Sequence, residues 1–571
     1  MVRLTEIDGV PTVLGPTTGP MHAGLVFRVG QADERLARRG ITHLVEHLAL
    51  HNIGVADYHY NGATTPEFTY FHTQGTAADI VPFLTGVCAA LRELPMHRLE
   101  TEKEILRTEQ SGRGGALGES MAVWRYGARD YGLHGYPEWG LPAIGPEELR
   151  AWVAHFFTRG NAALWIAGDE VPAGLRLDLL DGPRRPAPAP SSALPKTPAY
   201  FRGDAGAVVW DSVVPRSALS GVFLGVLERA MMRSLRQEQG LSYSVTTDYD
   251  ARADGTALVT AAADALPEKR GAVLGGFVDV LAALRFGRVE ENDVRAVVAR
   301  RCDELTRAEE QGARLPGQAF ALLTGRPLES QSLERVLAET QAVTARQVAE
   351  VAAAAWENGL LMTPGGRDAD WTGLTAAPSV SPHLVGGTQH RSLENPDVRL
   401  IVGPEGVAIV DSDGDGTSVR YDSAAVVLAW PDGGRLFIGT DAFTVRIEPT
   451  MFHDAARAIP WLDQHIPPGV RVDQPPRDPE KIPRPEAPAT RPGTVAPPKS
   501  ATGRIVALVL AIPLTLALVL LDIIVVVALA SGEETGALVV TLIVCLLATL
   551  AAALAIRWGA RGLRAYRSAR A

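Results

Sequence analysis

Cysteine is nearly absent: Cys88, Cys302 and Cys545 are the only three in 571 residues. They lie far apart with no paired spacing, which excludes a disulfide framework and a cysteine-ligated metal site and fits a reducing compartment. Positive charge is also scarce. Lys and Arg number 55 against 65 Asp and Glu, a net charge of −10, and the body of the chain has no large basic block. Nucleic acid is therefore a poor partner. The first 30 residues lack a basic start followed by an apolar run, so a secretory signal peptide is not expected and the N-terminal part should stay where it is made. Hydrophobic residues at 46% and charged ones at 21% are ordinary globular values, which excludes a largely disordered chain. At roughly 100–200 residues per domain, the length implies several structural units.

Apolar residues are in excess only at the C-terminal end. Segments 505–530 and 537–556 contain one acid, Asp522, and no base, and each is long enough to span a bilayer. Between them lie Glu533 and Glu534; Lys499 and Arg504 precede the pair, and five arginines follow it in the basic tail 557–571. This charge bias predicts a two-helix transmembrane hairpin whose ends, with everything N-terminal to them, face the cytoplasm. Residues 473–500 are rich in proline and charge and predict a semi-rigid spacer of up to ~80 Å.

Within 391–468, the runs 399–402, 406–410, 424–429, 435–438 and 443–447 read as strands separated by Gly, Asp and Pro turns, followed by an amphipathic helix over 451–465. This small β-rich domain resembles the pleckstrin-homology-like modules of bacterial membrane proteins by pattern alone. Inside it, Asp411, Asp413, Asp415 and Asp422 match several positions of a calcium-binding EF-hand loop. A plain acidic hairpin turn is the preferred reading, because the flanks read as strands and Asp422 replaces the usual final Glu. Upstream, 1–185 and 199–365 each mix strands with amphipathic helices and are divided by a Pro-rich stretch, which predicts two α+β lobes.

The run 42–51 has good helix formers and no Gly or Pro. On a helix, His43 and His47 share a face and can reach one cation with Glu46 beside them. The plainer alternative is a helix with two surface histidines. Zinc would also need a third protein ligand and a carboxylate to orient the histidines. Downstream, Glu102 and Glu109 lie seven apart, two helical turns, and so point the same way.

These residues carry a resemblance to the insulysin, pitrilysin and mitochondrial processing peptidase family of zinc metallopeptidases. The match consists of Gly30 with Arg39-Gly-Ile-Thr-His43-Leu-Val-Glu46-His47, then Asn61-Gly-Ala-Thr64-Thr-Pro-Glu67-Phe-Thr69, then Glu102 through Glu109, and finally Leu235-Arg236 through Tyr243. The resemblance covers about 1–365 and implies two homologous α+β lobes. It also implies one zinc ion per chain held by His43, His47 and Glu109, with Glu46 as general base and Glu102 as an orienting carboxylate. Arg236 and Tyr243 would supply donors to the substrate or its oxyanion. The edge Asn61, Gly62, Ala63 and Thr64 would bind peptide as an added strand.

With two lobes in this chain, the resemblance further implies a homodimer or heterodimer that brings Arg236 and Tyr243 to a partner's metal site. Two departures from the family stand out: the His47–Glu109 spacing is short, with the shortening around 49–58, and Gly62 stands where Ala is usual. The expected protein is a membrane-anchored zinc metalloendopeptidase acting on short or unfolded peptides. A non-catalytic scaffold of the same fold and a maturation protease for one peptide precursor are the alternatives.

Overall fold

Period-two apolar runs and amphipathic helices assemble into two six-stranded sheets that share the connectivity of five strands. The computed structural model describes residues 2–51, 59–112 and 117–485. In the first lobe, β1 (Arg3–Ile7), β2 (Val10–Gly15), β3 (His22–Phe27), β4 (Tyr60–Thr64), β5 (Thr69–Gln74) and β6 (Ala162–Ala167) lie in the order β1-β2-β6-β3-β5-β4. Only β2 and β6 are parallel. One face is covered by α1 (Ile41–Leu50), α2 (Ala77–Arg92), α3 (Leu99–Gly112) and α5 (Pro146–Phe156), with α4 (Leu117–Tyr126) between α3 and α5 in the chain.

The second lobe repeats the plan. Its strands are β7 (Ala199–Arg202), β8 (Ala207–Pro215), β9 (Val245–Ala251), β10 (Thr256–Asp264), β11 (Leu360–Thr363) and β12 (Thr375–Ala376), ordered β12-β7-β11-β8-β10-β9. Replacing β2, β6, β3, β5 and β4 by β7, β11, β8, β10 and β9 superimposes the two orders. Its helices are α6 (Ala218–Met231), α7 (Arg270–Arg285), α8 (Glu291–Glu310), α9 (Leu315–Leu323), α10 (Leu333–Gln341) and α11 (Ala345–Glu357). The lobe ends at Ala376 rather than at 365, because β12 pairs with β7.

The lobes interlock through a helix and a polar network. Strand β6, AALWIA, is buried on both faces: Leu164 and Ile166 face the helices of their own lobe, whereas Ala163, Trp165 and Ala167 pack against Leu315, Ala319, Phe320 and Leu323 of α9. Arg125 donates from Nε to Asp211 Oδ1 at 2.9 Å, and both side chains are buried. Glu67 accepts the Ala253 N–H at 2.9 Å and the Tyr131 hydroxyl, while Arg252 lies 4.3 Å from the Tyr131 ring centroid. Removing one partner from such a buried ion pair costs about 3–5 kcal/mol.

A β-rich body completes the described chain. β13 (Thr388–Arg391), β14 (Arg399–Val402), β15 (Gly406–Val410) and β16 (Gly416–Arg420) form one antiparallel sheet. β17 (Ala424–Ala429), β18 (Arg435–Gly439), β19 (Thr444–Ile447) and β20 (Arg471–Asp473) form a second, ordered β19-β18-β17-β20, and α12 (Ala455–His465) packs against the core. The helix starts later than 451 because Asp454 takes a left-handed φ of 55°. The expected pleckstrin-homology likeness finds no support. The body is also not separate: Met1–Pro485 is one compact unit.

The acidic loop 411–415 is a hairpin turn between β15 and β16. Asp411 Oδ1 accepts the N–H groups of Asp413 and Asp415, each at 3.0 Å, and Asp422 pairs with Arg420. The start of the expected spacer, 473–485, lies on this body instead of extending away. Arg477 bonds Asp432 and Glu448 at 2.7–2.8 Å and stacks over Trp430. The rest of the spacer, both expected spans and the basic tail fall outside the described residues, and among those described no helix is long and apolar enough to cross a membrane.

Candidate metal centre

Helix α1 opens on Gly40, whose φ of 101° suits glycine and whose N–H donates to the buried Glu34 at 3.0 Å. Leu44, Val45 and Leu48 face the core, which turns His43 and His47 to the opposite side. Their ring centroids are 4.9 Å apart. Helix α3 crosses nearby and aims two carboxylates at the same imidazole. Glu102 Oε2 lies 3.4 Å from His47 Nδ1, and Glu109 Oε1 lies 3.7 Å from His47 Nε2. Donor atoms of His43, His47 and Glu109 all lie within 4.8 Å of one another, and no other such group occurs among the described residues. A tetrahedral ion with His nitrogens at about 2.0–2.1 Å needs donors about 3.3 Å apart, so the trio fits zinc after a small contraction.

Both histidines are oriented by acids. Glu102 on His47 was expected from the sequence; Glu138 on His43 was not. Glu138 Oε1 stands 2.9 Å from His43 Nδ1, and Glu138 is 8% exposed. A carboxylate on each Nδ1 fixes the tautomer and leaves Nε2 for an ion. Arg98 in turn holds Glu102 Oε1 at 3.0 Å. Nothing in Tyr136-Pro-Glu-Trp139 marks Glu138 as functional by pattern.

Glu46 is 5% exposed. Its Oε2 accepts the Thr64 hydroxyl at 2.8 Å. Burial pushes its carboxyl above the ordinary range, against the pull of His43, the Thr64 bond and His47, while Glu109 adds to the rise. Strand β4 carries Asn61, Gly62, Ala63 and Thr64 along the sheet edge and pairs only with β5 among the described strands. Gly62 abuts the base: a Cβ there would sit 2.7 Å from Glu46 Oε1.

Arg236 and Tyr243 lie on the second lobe, Arg236 in a π-helical turn at Met232–Glu238. The guanidinium stacks 5.2 Å from the Tyr243 ring centroid. Tyr243 is 78% exposed, and its N–H and that of Ser244 are clamped by Asp264. Among the described residues, the hydrogen bonds and ring contact of this pair stay within the second lobe.

No protein-family model and no curated protein matches the sequence. Solved structures do, and they define the class: this chain has the α+β fold of M16-like peptidases. A protease from Helicobacter pylori is 15% identical with a TM-score of 0.55, covering 64% of this chain and 99% of its own. A peptidase M16 inactive domain from Pseudomonas fluorescens is 17% identical with a TM-score of 0.53, covering 66% and 100%. An M16-like peptidase structure from Alicyclobacillus acidocaldarius is 14% identical with a TM-score of 0.50, covering 64% and 98%. At these identities the likeness concerns the fold, and one of the three is described as inactive, so catalysis has to be argued from the side chains.

Proposed function

We propose that this chain is a zinc metalloendopeptidase that hydrolyses short or unfolded peptides. The observation that carries the reading is the convergence of His43, His47 and Glu109 within 4.8 Å, with a buried carboxylate, Glu46, beside them. His43, His47 and Glu109 would hold the ion. Bound there, zinc would supply Lewis acidity toward the scissile carbonyl and lower the pKa of a water toward about 7.

The chain's own groups do the rest. Thr64 holds Glu46 Oε2, which leaves Oε1 to take the proton of the attacking water and return it to the leaving amine. Glu102 and Glu138 keep the imidazoles from rotating. The open edge of β4 would accept an extended peptide through main-chain bonds, which read side chains weakly and suit unfolded substrates.

Arg236 and Tyr243 would donate to the substrate oxyanion or clamp the peptide. Their exposure, with hydrogen bonds and ring contact kept inside the second lobe, supports a dimer, with an identical or related subunit, in which each chain's pair serves the other's metal site. The segments 505–530 and 537–556 support a membrane anchor with the lobes on the cytoplasmic side.

Glu46→Gln should retain one zinc per chain and lose peptide hydrolysis by about 10²- to 10⁴-fold, whereas Glu109→Ala should lose zinc. Metal analysis together with cleavage of a peptide library checks both. A wild-type protein without stoichiometric zinc, whose activity Glu46→Gln leaves unchanged, would establish the scaffold reading instead.

A further inference from the structure

The second sheet of the β-rich body has two apolar faces. Val427 and Phe437 point into the body's own core, whereas Val426, Leu428, Ile438 and Val472 pack against Leu36, Ala37, Ala128 and Leu133 of the first lobe. A spacer or an independent binding module needs no such outward face. The surface it covers is made of Leu36 and Ala37, just ahead of α1, and of the segment that runs from Gly127 through Trp139 to Leu141.

That segment is pinned at both ends. The Ala128 N–H donates to the Thr440 carbonyl at 3.1 Å. Gly127, with φ of 81°, lets the chains approach so closely that a Cβ would stand 2.3 Å from the same oxygen. Further along, Tyr136 and Trp139, either side of Glu138, pack on the same apolar cluster.

Glu138 then touches both ligand helices. Its carboxylate meets His43 Nδ1 on α1, and its N–H donates to Gln110 Oε1 on α3 at 3.3 Å, the residue after Glu109. At Gly40, just before α1, a Cβ would lie 3.0 Å from Glu138 Cβ. A shift of this segment therefore moves the carboxylate that orients one ligand and the N–H that holds the side chain next to another in the chain.

We propose that the β-rich body is a positioning element of the metal centre, acting through Glu138: its outward sheet face holds segment 127–141, and Glu138 sets the imidazole of His43 and the last turn of α3. The inference rests on the metallopeptidase reading and adds to it a residue and a domain.

The test uses the purified full chain and reads the zinc dissociation constant by competition with a chromogenic chelator, with kcat and KM recorded alongside. Glu138→Gln should weaken zinc by about 10- to 100-fold. Val426→Ala with Leu428→Ala, which trims only the outward face, should weaken zinc about 10-fold. Added to Glu138→Gln, the double change should weaken it no further, because both act through one carboxylate. If the double variant does not fold, Ile438→Val on the same face carries the test with a smaller shift.

Interface variants that melt earlier yet bind zinc as the wild type does overturn the proposal, as do effects that multiply with that of Glu138→Gln. A wild-type chain that binds no zinc overturns the metallopeptidase reading itself, and this inference falls with it.

Discussion

Gly62 carries the sharpest residue-scale consequence. A glycine on an edge strand looks unremarkable in the sequence. In the folded chain the missing methyl is the space occupied by Glu46, 2.7 Å from the would-be Cβ. Gly62→Ala should therefore displace the base, with an expected loss of about 10- to 100-fold in kcat/KM at unchanged zinc content. Steady-state kinetics and metal analysis check this, and unimpaired turnover would refute the close packing of base and edge. His43, Glu46 and His47 were legible because a helix repeats every 3.6 residues and places i and i+4 together. Glu138 was not, because it lies 95 positions from His43 and only the folding of segment 127–141 brings it there.

At the scale of single elements, α1 lacks the usual signature of a helix start. No Ser, Thr, Asp or Asn precedes Ile41; Gly40 does. The capping role falls to Glu34, whose carboxylate accepts the N–H groups of Gly40 and Thr42 at 3.0 and 2.9 Å and pairs with the buried Arg39 at 3.0 Å. Glu34→Ala would leave Arg39 without its nearest acid and two amides unmet. A loss of about 3–5 kcal/mol of stability is expected, measurable by denaturant unfolding, and a loss under 1 kcal/mol would refute the cap.

Strands β14, β15 and β17 coincide with the runs expected from the sequence, because turn residues bound them on both sides. Strand β16 was hidden by the acidic pattern of 411–422. There the backbone amides compete for the Asp411 carboxylate, and local hydrogen bonding decides for a turn.

Over the whole molecule, the two lobes depend on each other. Phe320 of α9 is 5% exposed and its ring lies 4.3 Å from that of Phe68 in the first lobe. Phe320→Ala should cost about 3–5 kcal/mol, read as a lowered unfolding midpoint of both lobes together; separate melting of one lobe would contradict the interlock.

Glu67, also at this interface, is 4% exposed. Burial pushes its carboxyl above its usual value near 4.5, despite its bonds to Tyr131 and Ala253. A folded-state pKa above the unfolded one means that its contribution is fully present below about pH 4.5 and is lost as pH rises through the folded value. Glu67→Gln should thus flatten the fall in stability as pH rises from about 4.5, in melting curves across that range. A variant that follows the wild-type pH slope would refute this.

Local periodicity and spacing were enough to determine the helix that puts His43 and His47 on one face, the glutamates seven apart on a later helix, the two α+β lobes and the turn-bounded strands, since each depends on residues close in the chain. Only the tertiary structure decided that an acid at position 138 faces His43, that the β-rich body packs on the segment carrying that acid, and that α9 of one lobe closes the sheet of the other. Those contacts join residues roughly a hundred or more positions apart, where burial and close packing choose the partners and no local pattern records the choice.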